Sequence, residues 1–259
     1  MMRFVFVVIV ALVGYVGFQY LQTHRQLSGL QASGAPASHA SPAAPESSPG
    51  VGLRAADRPA TVAYPTPQWP QTVYILAITY MPAWCAARNG ALGDQRCRPE
   101  APTVWGVHGL WPQVGPGRDN GCPTTHILTP EAVKAGTELL GNRNLAQHEW
   151  AKHGTCSGWS ADDYFKATAM LAQSLKIPAT MARTAKDTAG TLEQFEAAWL
   201  TANPGLDGAR LAVRCRNSEL EELLFCFDGS GRGVRCPPNV HDSCPREGFR
   251  MRGAGAAVP

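Results

Sequence analysis

The chain carries eight cysteines, Cys85, Cys97, Cys122, Cys156, Cys215, Cys226, Cys236 and Cys244, and all of them follow an apolar N-terminal segment. After Arg3, "FVFVVIVALVGYVGF" runs for fifteen residues from Phe4 to Phe18. That is longer than a comfortable signal-peptide core and slightly shorter than the ~20 residues of a spanning helix. With Tyr20 and Leu21 counted, residues 4–21 can cross a membrane, and the following "QYLQTHRQ" offers no sharp small-residue cleavage site. Residues 1–22 therefore read as a signal peptide or a signal anchor, and both readings export the rest of the chain. Exported thiols meet an oxidising compartment, so an even number of cysteines here reads as disulfides. No C-x-x-C pair occurs, which argues against a zinc ribbon or a thioredoxin-type site. Eight cysteines still allow about 105 pairings.

The folded part is shorter than the chain. Many of the 21 prolines and 26 glycines fall between positions 29 and 70, in stretches such as "SGLQASGAPASHASPAAPESSPG". Residues 23–67 thus form an Ala/Ser/Pro-rich flexible linker with too few large apolar groups to bury; His24 and His39 are bystanders within it. The apolar fraction of 44% is ample for a core in the domain expected over residues 68–250. The net charge of +3 permits a polyanionic partner without demanding one. No strongly basic run is present, so tight nonspecific binding to duplex DNA is not indicated.

Within the domain, "TVYILAITY" (residues 72–80) is rich in β-branched and aromatic residues and reads as a buried strand ended by Pro82. "TVWGVHGLW" (residues 103–111) is a second strand closed by Pro112. Thr129 caps a helix with Pro130 at its first position and Gly141 at its stop. A further helix covers Gln147 to His153, and Ser160 caps another that runs to about Leu175. Thr191 and Gln194 make a capping box for a helix to about Ala202. "ARLAVRC" and "LEELLFCFD" are the last strands. The Gly/Ala/Arg-rich stretch after Cys244 reads as frayed, with 251–259 a disordered tail. Strands and helices mix without strict alternation, which favours an α+β fold.

"HEWAKHGTC", residues 148–156, concentrates titratable groups. The zincin pattern H-E-x-x-H needs histidines at i and i+4, but position 152 is Lys and the second histidine is at i+5. On an α-helix i+5 lies ~140° away, so His148 and His153 splay and do not readily share one tetrahedral ion. Lys152 would also repel a dication. The pattern thus argues against a metal. On the same wheel His148, Lys152, Glu149 and His153 fall on one polar face at 0°, ~40°, ~100° and ~140°, with Trp150 and Ala151 opposite. Such a face is often a solvated one with two ion pairs, but two histidines beside a lysine and a glutamate form an acid–base set. "VWGVHGLWP" (residues 104–112) places His108 at the end of an apolar strand before a glycine. A lone histidine there is more often a satisfied core residue, and Trp105 and Trp111 are more often core aromatics.

Together the two stretches resemble the two active-site segments of the ribonuclease T2 family. The first family segment, roughly aromatic-x-I-H-G-L-W-P, corresponds to Trp105 through Pro112, and the second, H-E-W-x-K-H-G-T-C, is matched in full from His148 to Cys156. "YILAITYMPAWC" resembles the family's first strand and first cysteine. "CRNSELEELLFCFD" with "CPPNVHDSC" resembles its C-terminal strand pair. The likeness covers about Gln68 to Cys244, and the segment Gln113–Gln147 is short for the family.

The resemblance implies a ribonuclease T2-like fold, with a central, mostly antiparallel sheet flanked by helices. Its disulfides would be Cys85–Cys97, Cys122–Cys156, Cys215–Cys244 and Cys226–Cys236. It implies cleavage of single-stranded RNA without metal or other cofactor, through a 2′,3′-cyclic phosphate to 3′-phosphate ends. Carried over, His153 is the general base and His108 the general acid. Lys152 and Glu149 contact the phosphorane, His148 binds phosphate, and Trp111 stacks on a base. Gln113 stands where many relatives carry Asp or Asn to help read the base. Its amide offers both a donor and an acceptor, so base choice should be relaxed. His126 and His241 match neither motif and read as surface residues. The enzyme is expected as a monomer, periplasmic or extracellular, or tethered to the inner membrane by residues 4–21. Two rival functions are a metallohydrolase and an exported protein of this fold that is catalytically weak and acts as a binding or cytotoxic factor. Loss of a catalytic histidine would mark the latter, and neither is lost.

Overall fold

Tyr74–Tyr80 forms β1, and all seven of its residues are buried. A strand covered on both faces reads as an unbroken apolar run rather than an alternation. The computed structural model describes residues 72–88, 94–98, 101, 103–114, 121–183, 185–208 and 210–254. The N-terminal segment 1–22 and the linker 23–67 lie outside the described residues.

Helix α1 (Met81–Ala87) follows β1 directly, with Pro82 in its first turn. Proline lacks only an N–H that has no intrahelical partner there, so it starts a helix as well as ending the strand. Next come β2 (Trp105–Pro112), α2 (Pro130–Leu140), α3 (Arg143–Lys152), α4 (Ala161–Ser174) and β3 (Thr188–Gly190). They are followed by α5 (Leu192–Ala202), β4 (Leu211–Arg216), β5 (Glu219–Phe227) and β6 (Phe249–Met251). The expected caps form: the Thr129 and Ser160 side chains accept backbone N–H groups, Gly141 takes a left-handed φ of 71°, and Thr191 and Gln194 close a full capping box.

The described strands make one six-stranded sheet in the order β2-β1-β5-β6-β3, with β4 also paired to β5. Every pairing is antiparallel except the short one between β5 and β6. Asn217 and Ser218, both at positive φ (51° and 59°), join β4 to β5. That is the turn geometry whose twist matches a hairpin. The α+β class and the mostly antiparallel sheet follow the sequence expectation.

Alternation divides β1 between two cores. Tyr74, Leu76, Ile78 and Tyr80 enter the main one, with Trp150 of α3, Phe165 and Leu171 of α4 and Trp199 of α5. Trp105 and Trp199 are fully enclosed there, and truncating such a side chain costs about 3–5 kcal/mol. Ile75 and Ala77 join Ala212, Leu224 and Cys226 in a smaller cluster, against which Trp111 packs. The functional site is built beside this smaller cluster.

All four disulfides form with the pairing that the resemblance implied, Cys85–Cys97, Cys122–Cys156, Cys215–Cys244 and Cys226–Cys236. Cys244 holds its loop along β4, where Val213 N–H donates to Asp242 and Cys215 N–H to Ser243 Oγ. An edge covered in this way offers no free ladder to another chain.

The end of the chain departs from expectation. The stretch after Cys244 is not frayed: Phe249 is buried, Met251 pairs with Thr188, and Gly253 N–H donates to Asp187. Arg250 and Arg252 both pair with Glu219. One aromatic anchor and two arginines with a shared carboxylate outweigh the Gly/Ala-rich composition, so order continues past the expected boundary at 251. Residues 255–259 lie outside the described residues.

Candidate active site

His108 sits on a β-bulge. Ala77 of β1 faces Gly109 and Ile78 faces Val107, so the register slips and His108 is the extra residue. Val107 and Leu110 both enter the main core, which leaves two residues between them, His108 and Gly109, off that side. A bulge re-aims a side chain in this manner. Tyr164 of α4 pins the adjacent stretch of β2 by donating its hydroxyl to the Leu110 carbonyl at 2.9 Å.

Reaching past β1, His108 meets β5. Its Nδ1 lies 2.6 Å from Oε1 of Glu222. An ionised carboxylate only accepts, so Nδ1 carries the hydrogen. On the other side Nε2 is 3.6 Å from Oε1 of Glu149. Glu149 is 1% exposed, and the Trp111 indole N–H donates to its Oε2 at 2.9 Å.

Helix α3 brings the second motif. Asn142 caps it, so the helix starts at Arg143, four residues before the expected start at Gln147, and it ends at Lys152. His153 is the C-cap residue, with φ −120° and ψ −48°. The helical-wheel position expected for His153 therefore does not hold, because the backbone has already left the helix. The wheel also misassigns two neighbours. Ala146, Glu149 and Trp150 form the buried stripe, at i, i+3 and i+4 spacing, while Ala151 is exposed. Glu149 thus leaves the polar face and enters the protein.

Trp111 separates the two histidines. Its ring lies 5.3 Å from that of His108, edge-on at 81°, and 5.4 Å from that of His153, tilted by 32°. Trp105 is core, but Trp111 is half-buried at the site. Lys152 is half-buried and His148 exposed. Gln113, just past β2, donates its amide N–H to the Trp111 carbonyl at 3.2 Å, so one of the donors that the sequence reading counted is already committed. His126 and His241 are exposed, as expected.

The two histidines sit in opposite electrostatic settings. Burial alone would lower the His108 pKa, but the Glu222 hydrogen bond and charge and the Glu149 charge outweigh it, against Arg96, and raise it above the usual range. Burial, with the Lys152, His108 and His148 charges, lowers His153 to about 3. Burial raises the Glu149 pKa, partly offset by His108, Trp111 and Lys152.

His108, Trp111, Glu149, Lys152 and His153 are thus brought together, with His148 acting on His153 through its charge. Glu222 was missed by sequence reasoning. The available signal was the adjacent pair Glu221 and Glu222 in the strand candidate "LEELLFCFD", because alternation turns one of the two toward each face of the sheet. Among the described residues, no group of three or more His, Cys, Asp or Glu side chains is arranged to hold a metal ion.

This fold is that of solved ribonucleases. Trichomaglin, an S-like ribonuclease, superposes with a TM-score of 0.53 at 23% identity, over 68% of this chain and 95% of its own. Ribonuclease MC1 from bitter gourd seeds does so with a TM-score of 0.53 at 20% identity, over 69% and 98%. The family model for ribonuclease T2 matches residues 71–236, and the chain belongs to that family. A ribonuclease of Aeromonas hydrophila is 34% identical over 191 residues, covering 69% of this chain and 84% of that protein. The protein is a ribonuclease T2-family enzyme, RNA is the substrate its family implies, and its four disulfides mark it as exported.

Proposed function

We propose that the enzyme cleaves single-stranded RNA by metal-independent transphosphorylation, with His153 as general base and His108 as general acid. The observation that carries this is the opposite setting of two histidines on either side of Trp111. One is pushed toward its neutral form and the other toward its protonated form, the directions that a base and an acid at one pH require. His153 takes the proton of the ribose 2′-OH, the 2′-oxygen bonds to phosphorus, and the P–O5′ bond breaks. The 5′-oxygen leaves with the proton from Nε2 of His108, giving a 2′,3′-cyclic phosphate. Water then adds to phosphorus as the P–O2′ bond breaks. His108 accepts the water proton and His153 returns its own, which leaves a 3′-phosphate. The bound phosphodiester brings a negative charge that raises the proton affinity of His153 toward a useful range.

Lys152 and Glu149 contact the phosphorane, where charge builds only in the transition state. His148 binds phosphate, Trp111 stacks on an unpaired base, and Gln113 reads its edge. The enzyme acts as a monomer in the periplasm or outside the cell, either freed from residues 1–22 or held at the inner membrane by them.

Digestion of the dinucleotide CpA tests the reaction. A 2′,3′-cyclic product that opens to a 3′-phosphate, with turnover unchanged by EDTA, is expected. His108→Phe and His153→Phe should each lower kcat by roughly 10²–10⁴-fold with the fold intact. Lys152→Ala should lower kcat more than it raises KM. Near-normal turnover in either histidine variant, or loss of turnover with EDTA, would overturn the mechanism.

A further inference from the structure

Glu222 is the innermost of three carboxylates on the central strand β5, after Glu219 and Glu221, and it faces Thr79 on β1 and Arg214 on β4 in the ladder. Arg214 donates to the His241 carbonyl. The side chain of Glu222 is 19% exposed, and its hydrogen bond is to a histidine 114 residues earlier in the chain. A charge taken out of water this far requires a partner, and the partner is the proposed catalytic acid.

We infer that Glu222 is a positioning residue, which by accepting the Nδ1 proton of His108 fixes both the tautomer and the direction of that imidazole. This rests on the reading of His108 as the acid. With Nδ1–H committed to β5, the proton that His108 transfers sits on Nε2, the nitrogen beside Glu149 and toward Trp111. After the transfer, the neutral ring keeps Nδ1–H and leaves Nε2 bare. The same nitrogen then accepts the water proton in ring opening. Without Glu222 the neutral ring can place its hydrogen on Nε2, where the Glu149 carboxylate would hold it, and that tautomer cannot act as the base.

The two tasks of Glu222 separate experimentally. The other charged groups near His108 are Glu149 of α3 and Arg96 of the turn at Gln95–Cys97, and the titratable His153, kept neutral, follows α3. All of them stay in place when Glu222 is changed. Glu222→Gln keeps an oxygen that accepts from Nδ1–H but loses the charge. It should move the alkaline limb of kcat to lower pH without changing the ratio of ring opening to transphosphorylation. Glu222→Ala loses both functions, so the cyclic phosphate should also accumulate. In ¹⁵N spectra, neutral His108 should be the Nδ1–H tautomer in the wild type and the Gln variant, and shift toward Nε2–H in the Ala variant. Far-UV circular dichroism and Tm report folding. Should Glu222→Ala fail to fold, the kcat profile and the ¹⁵N titration of Glu222→Gln decide alone. A wild-type alkaline limb and an unmoved His108 titration in Glu222→Gln would reduce Glu222 to a structural strut. Full turnover in His108→Phe would instead sink the acid assignment, while the ¹⁵N tautomers would still report on Glu222.

Discussion

A Cβ added at Gly109 would lie 1.9 Å from Oε2 of Glu149 and 3.1 Å from the indole nitrogen of Trp111. The close approach of a buried carboxylate to the strand is therefore possible only at a residue without a side chain. Gly109 follows the bulged His108, so one short stretch of β2 both aims the histidine and admits the glutamate.

Gly109→Ala should displace Glu149 and with it the Trp111 hydrogen bond. A misplacement of ~1 Å at a reacting centre can cost about 10²-fold in rate, and overpacking typically costs about 1–3 kcal/mol of stability. The expected outcome is a folded protein with kcat lowered to that extent and KM little changed. A variant with normal kcat would mean that Glu149 takes no part in the chemistry.

The opposite settings of the two histidines predict a wide pH–rate plateau. His153 must be neutral to act as base, and its lowered pKa, about 3 in the free enzyme, moves the acid limb down. His108 must be protonated to act as acid, and its raised pKa moves the alkaline limb up. The kcat/KM profile reports the free enzyme, so its limbs should straddle the ordinary histidine range. A narrow bell with both limbs close to that range would contradict the assignment.

His153 also links stability to pH. Its folded pKa of about 3 lies below the ordinary value of 6.5, so below 6.5 the unfolded chain binds a proton that the folded protein does not. The stabilisation is therefore present above pH 6.5 and is lost as pH falls from there toward 3. Tm of the wild type should fall more steeply over this window than that of His153→Phe, by about 2–4 °C for each kcal/mol lost. Parallel Tm curves would show that the imidazole is solvated enough to titrate normally.

Much of this site was legible because it is written in two short strings. The string around His153 gave the acid–base set and a cysteine, and the string around His108 gave the strand and its aromatics. Caps such as Thr129, Ser160 and Thr191 were legible because capping depends on residues three positions away. The bulge at His108 was not, because it is a mismatch between β2 and β1 that neither strand displays alone. Glu222 was hidden for the same reason, since a hydrogen bond across 114 residues exists only once β5 lies beside β1. The wheel failed at Glu149 and His153 because it assumes an unbroken helix and cannot tell which face the sheet will cover. The order of β6 escaped composition because it rests on Phe249 and on Glu219 far upstream.

Gln113 commits an amide hydrogen to the Trp111 carbonyl, which leaves Oε1 free as an acceptor. An acceptor suits bases with an exocyclic amine, adenine, cytosine and guanine, over uracil. Gln113→Asp makes the acceptor charged, and charge-assisted bonds are roughly twice as strong as neutral ones. The kcat/KM ranking across dinucleotides should therefore stretch toward amine-bearing bases, and Gln113→Leu should flatten it. A ranking unmoved by both changes would remove Gln113 from base recognition.

The disulfide between Cys122 and Cys156 joins the two halves of the site. Cys156 lies three residues beyond His153, and Cys122 N–H donates to Thr155 Oγ1, which in turn donates to the Ala151 carbonyl of α3. A Cβ added at Gly121 would lie 2.2 Å from that same carbonyl, so the loop after β2 presses closely on the end of α3. The bridge spans a sequence separation of 34 and should contribute about 3–4 kcal/mol on the chain-entropy model. If it also sets the spacing between His108 and His153, its loss should slow the chemistry in protein that is still folded, because attack geometry tolerates only a fraction of an ångström. A Cys122→Ala/Cys156→Ala variant, assayed well below its own Tm, should then show a lower kcat with KM almost unchanged. A fall in Tm with kcat equal to wild type would restrict the bridge to stability.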